Sequence, residues 1–239
     1  MQTRRRLFAV LAATATAAAL AAGCSSSGST SPASNAPLPD AATLLTQSVT
    51  TTKGETSVHL GLTTQGQDIL KALPVTKLAG DLTNVPAVAA QGSASIVFLG
   101  QTLADVPFAV LDGNLYAALT PGGAEKLIGP AADVYDVSVI LNPNVGLANV
   151  LGSFTSPKAD NRESVNGVST VRVTGMVAAD AVNKIAPDLD ATAPVPGTAW
   201  IREDGDHDLV QAELDTSPGN SIQMTLSDWG KPVTVTKPA

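Results

Sequence analysis

One cysteine, Cys24, is all the sequence offers, which excludes an internal disulfide and any zinc site built on paired thiols. Histidine is nearly as scarce. His59 falls in an alternating stretch, where it reads as a structural or solvent-facing side chain. His207 falls in the acidic run Glu203-Asp204-Gly205-Asp206-His207-Asp208. That run lacks the three spaced acids before its glycine and the distant glutamate of a calcium loop, so it reads as a solvated hairpin turn. No G-x-S-x-G elbow, P-loop or dinucleotide fingerprint is present. The carboxylates Asp188 and Asp190 lie in a proline-rich connection, not opposite each other across a cleft. With no nucleophile and base in view, binding is favoured over catalysis, and no cofactor or metal is expected. Basic residues are few, 14 Lys and Arg against 21 Asp and Glu, so the electrostatic footprint of a nucleic-acid binder is missing. Aromatic residues make up 3% of the chain, which leaves Ala, Val and Leu to build the core. Small side chains can fill a core or line a hollow, and composition leaves both open.

What is present begins with Arg4-Arg5-Arg6 and the apolar run Leu7–Ala22, which closes on Leu20-Ala21-Ala22-Gly23-Cys24. A positive start, a short apolar stretch and small residues before a cleavage point make a secretory signal over residues 1–23. A cysteine directly after that point matches a bacterial lipobox, in which the thiol carries a diacylglyceryl group and becomes the first mature residue. A secreted chain with a stray cysteine and an uncleaved membrane anchor are the alternatives; the run is short for a span of about 20 residues. Arg5-Arg6-Leu7-Phe8 also resembles a twin-arginine core, which leaves the export route open. Loss of residues 1–23 removes three arginines and no acids, taking the net charge from −7 to −10. Attraction to anionic lipid by charge is therefore weak, and attachment at the outer face of the cell membrane falls to the acyl group on Cys24. Residues 24–39 form the lipidated terminus and a Ser/Gly/Pro-rich linker, and 40–239 form the one domain.

Asp40 before Ala41-Ala42-Thr43-Leu44-Leu45 is an N-cap signal, and the spacing predicts a helix over 40–53 stopped at Gly54. Strand alternation follows from Val58, with 66–75 readable as a short helix or a loop. Asp112-Gly113 predicts a tight hairpin that pairs Leu111 with Asn114, Val110 with Leu115 and Phe108 with Ala117. Both faces of that hairpin are apolar, so it is expected near the centre of the sheet with both sides covered. Residues 129–153 read as short helices broken at Asn142-Pro143, with Ile140, Leu147, Val150, Leu151 and Phe154 on one apolar face. Asn166-Gly167 turns a second hairpin, 178–186 is a short helix, and 187–197 is a connection. In the final meander Ala199, Ile201, Val210, Ala212 and Leu214 are expected on one face, and Val233 and Val235 close the strand series. About ten strands joined by hairpins, with helices in two blocks, give an α+β fold with one large antiparallel sheet.

Seven strings now carry a resemblance: PLPDA at 37–41, GDLT at 80–83, GPAADVYD at 129–136, LNPNVGLANVLGSF at 141–154, NKIAP at 183–187, GDHDLVQAELD at 205–215 and NSIQMTLSDWGKPVTVTKP at 220–238. With the lipobox, they closely resemble the mycobacterial LprG/LprF/LppX lipoprotein family over nearly the whole mature chain. The resemblance implies a strongly bent half-barrel, LolA/LolB-like, wrapped over a few short helices around an apolar cavity. It implies a monomeric carrier of triacylated glycolipids or lipoglycans of the phosphatidylinositol mannoside type, or of triacylglycerol, acting with a major-facilitator efflux pump. An accessory scaffold for an envelope transporter is the alternative. Candidates to line the cavity are Ala94, Ile96, Phe98, Phe108, Val110, Ile140, Leu147, Val150 and Leu151, with Tyr116 and Tyr135 at a rim where a phenol could meet a head group.

Overall fold

Eleven strands form one open antiparallel sheet in the order β6-β5-β4-β3-β2-β1-β11-β10-β9-β8-β7. They are β1 Ser57–Gln65, β2 Val75–Thr83, β3 Ala89–Phe98, β4 Gln101–Leu111, β5 Asn114–Ala117, β6 Lys126–Pro130, β7 Phe154–Val165, β8 Val168–Val177, β9 Val195–Arg202, β10 Leu209–Ser217 and β11 Asn220–Ser227. Among the described residues four α-helices accompany them: α1 Ala41–Gly54, α2 Gln67–Ala72, α3 Leu147–Gly152 and α4 Ala179–Ile185. The computed structural model describes residues 36–120 and 122–238. All of these belong to one compact unit that carries a continuous hydrophobic cluster, the property a segment needs to fold on its own. Residues 1–23, Cys24 and most of the linker lie outside the described residues.

Asp40 caps α1, its carboxylate accepting from the Thr43 backbone N–H at 2.8 Å. Leu44 and Leu45 are buried beneath the helix. The two hairpin registers follow the turn chemistry. Leu111 pairs with Asn114 across Asp112-Gly113, and Val165 with Val168 across Asn166-Gly167. The ambiguous 66–75 stretch divides into α2 and the start of β2.

Five expectations are corrected. The β4–β5 hairpin lies near one edge of the sheet, because β1 pairs with the C-terminal β11 and places that junction at the centre. Residues 129 and 130, read as the start of the short helices, instead end the edge strand β6, whose five residues carry too little alternation to be read. β9 starts at Val195, inside the stretch read as a connection. Val210 is skipped in the ladder: Leu209 pairs with Ile201 and Gln211 with Trp200. This bulge makes Leu209, not Val210, share the core with Ile201. Residues 231–238 form no strand; they leave β11 as an irregular tail, with the Ser57 hydroxyl donating to the Lys231 carbonyl at 2.6 Å.

Strands β6 and β7 are opposite edges, so the connection between them, residues 131–153, must span the sheet. It does so through two 3-10 turns (131–133 and 137–139) and α3, which packs against α1. Val110 of β4, Leu82 of β2, Val171 of β8 and Ile201 of β9 all join one cluster with Leu44, Leu147 and Val182 of the helices. In a flat sheet β4 and β8 would stand roughly 34 Å apart at about 4.8 Å per strand, some three helix diameters. The one cluster thus runs the width of the inner face, with the helices packed along it.

Candidate functional site

The inner face of β1–β5 is laid out by register. One cross-strand row holds Val58, Leu82, Ala90, Val110 and Leu115. The next holds Leu60, Gly80, Gly92, Phe108 and Ala117, and a third holds Leu62, Leu78, Ala94 and Val106. The floor at its middle is made of glycine and alanine. Leu62, Leu78, Phe108 and Leu115 stand around it only partly buried. The other half of the same face is different. Val171, Val173, Val177, Ala199 and Ile201 have no exposed surface, because α1, α3 and α4 gather there. The inner face is thus filled over β8 and β9 and along the Val58–Leu82–Ala90–Val110 row, and next to that row the half-buried Leu62, Leu78, Phe108 and Leu115 frame a shallow apolar trough over β1–β5.

Gly80 and Gly92 set the depth of the trough. A β-carbon on Gly92 would fall 2.2 Å from the Ala79 carbonyl oxygen and 2.6 Å from the Gly80 Cα. One on Gly80 would fall 2.3 Å from the Gln91 carbonyl oxygen. The two strands approach so closely that no side chain fits, which also leaves no side chain to fill the space above them.

The crossing segment roofs the inner face. Ala131, Ile140 and Leu141 are buried in the common cluster, followed by Leu147, Val150 and Leu151 of α3. Tyr135 is held from both sides: its ring packs against the cluster and its hydroxyl donates to the Ile185 carbonyl at 2.8 Å. Burial, with a smaller contribution from nearby Asp136, pushes the phenol well above its ordinary range. The hydroxyl thus ties the roof to the end of α4 rather than meeting a head group. Tyr135→Phe should lower stability by about 1 kcal/mol, the net worth of one hydrogen bond, and leave ligand uptake unchanged. Thermal denaturation beside a binding assay checks both halves of this expectation.

The structure therefore gathers Phe108 and Val110 of the sheet into one cluster with Ile140, Leu147, Val150 and Leu151; Ala94 is buried on the same face by register but outside that cluster. Ile96 keeps the face of Ala94 by alternation and is half-buried. Phe98 ends β3 and is 53% exposed, outside the enclosed part of the trough. Tyr116 pairs with Ala109 on the opposite, outer face. Sequence reasoning passed over Gly80, Gly92, Leu62, Leu78 and Leu115. The glycines had a readable signal, since an isolated glycine inside a strand marks a bulge or a close backbone approach.

The outer face carries a groove of about 700 Å³ whose lining includes His59, Asp81, Gln91, Ser93, Glu125 and Thr236. His59 Nδ1 and the Asp81 carboxylate stand 2.7 Å apart across β1 and β2. The C-terminal tail runs along one side, where Lys231 bonds the Asp228 carboxylate at 2.6 Å and holds its pKa below the usual range. Ala79, Gly80, Gly92, Pro107, Phe108 and Ala109 share this lining with the polar side chains, and the groove lies open to solvent, so it would not enclose an acyl chain. No cluster of ligating side chains able to hold a metal occurs among the described residues. No helix among them is long and apolar enough to cross a membrane.

These features define an α+β half-barrel with an apolar inner face, and solved proteins share it. The crystal structure of LprF from Mycobacterium bovis superposes with a TM-score of 0.75 at 31% identity, covering 85% of this chain and 99% of that one. LppX from Mycobacterium tuberculosis gives 0.62 at 31% identity, covering 82% and 97%. The chain belongs to the LppX_LprAFG lipoprotein family, whose model matches residues 40–235. Among curated relatives, the lipoarabinomannan carrier protein LprG of Mycolicibacterium smegmatis is 62% identical over the full length of both chains. The protein of the same name from Mycobacterium tuberculosis H37Rv is 49% identical over 100% of this chain and 99% of its own.

Proposed function

We propose that this protein is a lipid carrier of the cell envelope. It is exported, held at the outer face of the cell membrane by an acyl group on Cys24, and binds the acyl chains of a triacylated glycolipid or lipoglycan in the trough over β1–β5. Phosphatidylinositol mannoside-type lipids are the first choice of ligand, with triacylglycerol as a smaller relative that offers the same three chains. A major-facilitator efflux pump is the proposed partner in passing the lipid on. The observation that carries the reading is the floor of Gly80, Gly92, Ala90, Ala94 and Ala117 ringed by half-buried leucines and Phe108. The names of the full-length relatives support the lipoglycan class.

The energetics are favourable. Each buried methylene contributes roughly 0.8 kcal/mol, so one chain of about sixteen carbons supplies roughly 12 kcal/mol. The roof segment is tied to the sheet at Ala131, whose N–H donates to the Gly113 carbonyl at 2.8 Å. The head group, being polar, stays outside. Protein purified from a mycobacterial host should release a triacylated lipid, about one per chain, on organic extraction and mass spectrometry. Protein that is lipid-free from such a host and takes up no acylated lipid on incubation would overturn the reading.

A further inference from the structure

The β3–β4 hairpin turns at Leu99-Gly100, with φ of 51° and 75°. Positive φ at both central residues is the geometry that favours Asn-Gly or Asp-Gly. The same sheet obeys that preference at Asp112-Gly113, with φ of 50° and 75°, and at Asn166-Gly167, with 51° and 82°. At Leu99 a bulky side chain sits in the left-handed region, where its β-carbon is crowded by backbone. Leu99 is also 88% exposed, and Phe98 beside it 53%. Two local rules are broken at one place, by conformation and by exposure, and such breaks concentrate where a surface has a use.

The position of the tip says what the use is. Ala94, Ile96 and Phe98 alternate along one face of β3 and lead from the trough floor out to the turn. A surface touching the tip therefore touches the near end of the trough. The patch is two side chains on a narrow hairpin, far below the roughly 800 Å² per partner of a stable protein interface. The net charge of −10 without residues 1–23 disfavours docking by attraction to anionic head groups, and residues 94–106 of the hairpin hold no Lys or Arg, which leaves apolar insertion. The tether permits it. Arg162 holds the Ala36 and Pro37 carbonyls beside β7, near its C-terminal end, away from the hairpin tip. Residues 24–36 span up to roughly 40 Å when extended, more than the roughly 33 Å of a ten-residue strand.

We propose that Phe98 and Leu99 insert into the surface of a phospholipid bilayer and dock the near end of the trough there. Acyl chains then pass between bilayer and trough without crossing water. This rests on the carrier reading of the inner face.

Leu99→Asn tests it cleanly, because Asn is the residue this turn favours and the variant keeps or gains stability. Residues 36–239, free of the acyl anchor, are mixed with phosphatidylcholine vesicles containing pyrene-labelled triacylglycerol. Co-sedimentation gives partition, and pyrene fluorescence gives the loading rate and final occupancy. L99N should lower partition and loading rate by about tenfold or more, as expected for losing one buried leucine from the membrane contact, with final occupancy unchanged. Phe98→Ser should act in the same direction. Wild-type partition and loading rate in L99N would overturn the proposal, as would tip-dependent self-association that occurs equally without vesicles. If the wild-type domain takes up no labelled lipid, the carrier reading falls, and the partition of L99N against wild type still decides whether the tip docks.

Discussion

Ala94→Trp should reduce the uptake of acylated lipid by at least about tenfold while the domain stays folded. Ala94 is buried in the third inner row, between Leu78 on β2 and Val106 on β4. Its neighbours Leu62 and Leu78 are only partly buried, so an indole can lie over the floor without entering the filled core. It then occupies the volume an acyl chain would take, and losing even two methylene contacts is worth about a factor of ten. Val110 makes a poorer probe. It is 3% exposed within the common cluster, and a tryptophan there overpacks the core at a cost of about 1–3 kcal/mol. Bound lipid per chain, measured by mass spectrometry beside near-ultraviolet circular dichroism, separates lost binding from lost folding. Unchanged uptake in folded Ala94→Trp would place the acyl chains elsewhere.

Gly92→Ala should be among the most destabilising single-methyl changes in the domain, at about 3 kcal/mol or more. The atoms a methyl would meet, the Ala79 carbonyl oxygen and the Gly80 Cα, belong to the backbone of the paired strand. They cannot swing aside as a flexible side chain would, so β2 and β3 must part. For a domain of this size the loss corresponds to a fall of roughly 6–12 °C in melting temperature. Gly54→Ala is the matched control. A β-carbon there meets nothing within 4 Å, and the change should stay within about 0.5 kcal/mol. A small effect at Gly92 would mean that β2 and β3 do not approach as closely as described, and the shallow floor would go with it.

Much of the fold could be read from local chemistry. Asp40 with helix formers after it, the Asp-Gly and Asn-Gly turns, and the alternation around Val58 and Ile222 each act within a few residues. The α1 boundary and both hairpin registers were legible for that reason. What was not legible depends on distant partners. The β4–β5 hairpin looked central because both faces are apolar. It lies near an edge because β11, over a hundred residues later, takes the place beside β1. The bulge at Val210 shifts parity without leaving a glycine or proline to announce it.

The candidate site divides in the same way. Alternation grouped Ala94 with Ile96 and Phe98, and Phe108 with Val110, and the helical pattern grouped Ile140, Leu147, Val150 and Leu151; register joins the first two groups. Their meeting required the crossing segment to span two sheet edges, which no local pattern encodes. Tyr135 was misjudged because its hydroxyl finds a carbonyl fifty residues away. Gly80 and Gly92 were present in the sequence but unpaired there; register turns them into a floor.

The central claim is that acyl chains lie on the inner face, beneath the 131–146 segment, and not in the polar groove outside. A triacylglycerol with a photoreactive diazirine partway along its acyl chains tests this most directly. After loading, irradiation and digestion, the cross-linked peptides are identified by mass spectrometry. The account predicts adducts on Leu62, Leu78, Ala94 or Leu115 and on the roof around Ile140. Adducts confined to the outer groove, on Gln91, Ser93, Glu125 or Thr236, would contradict it.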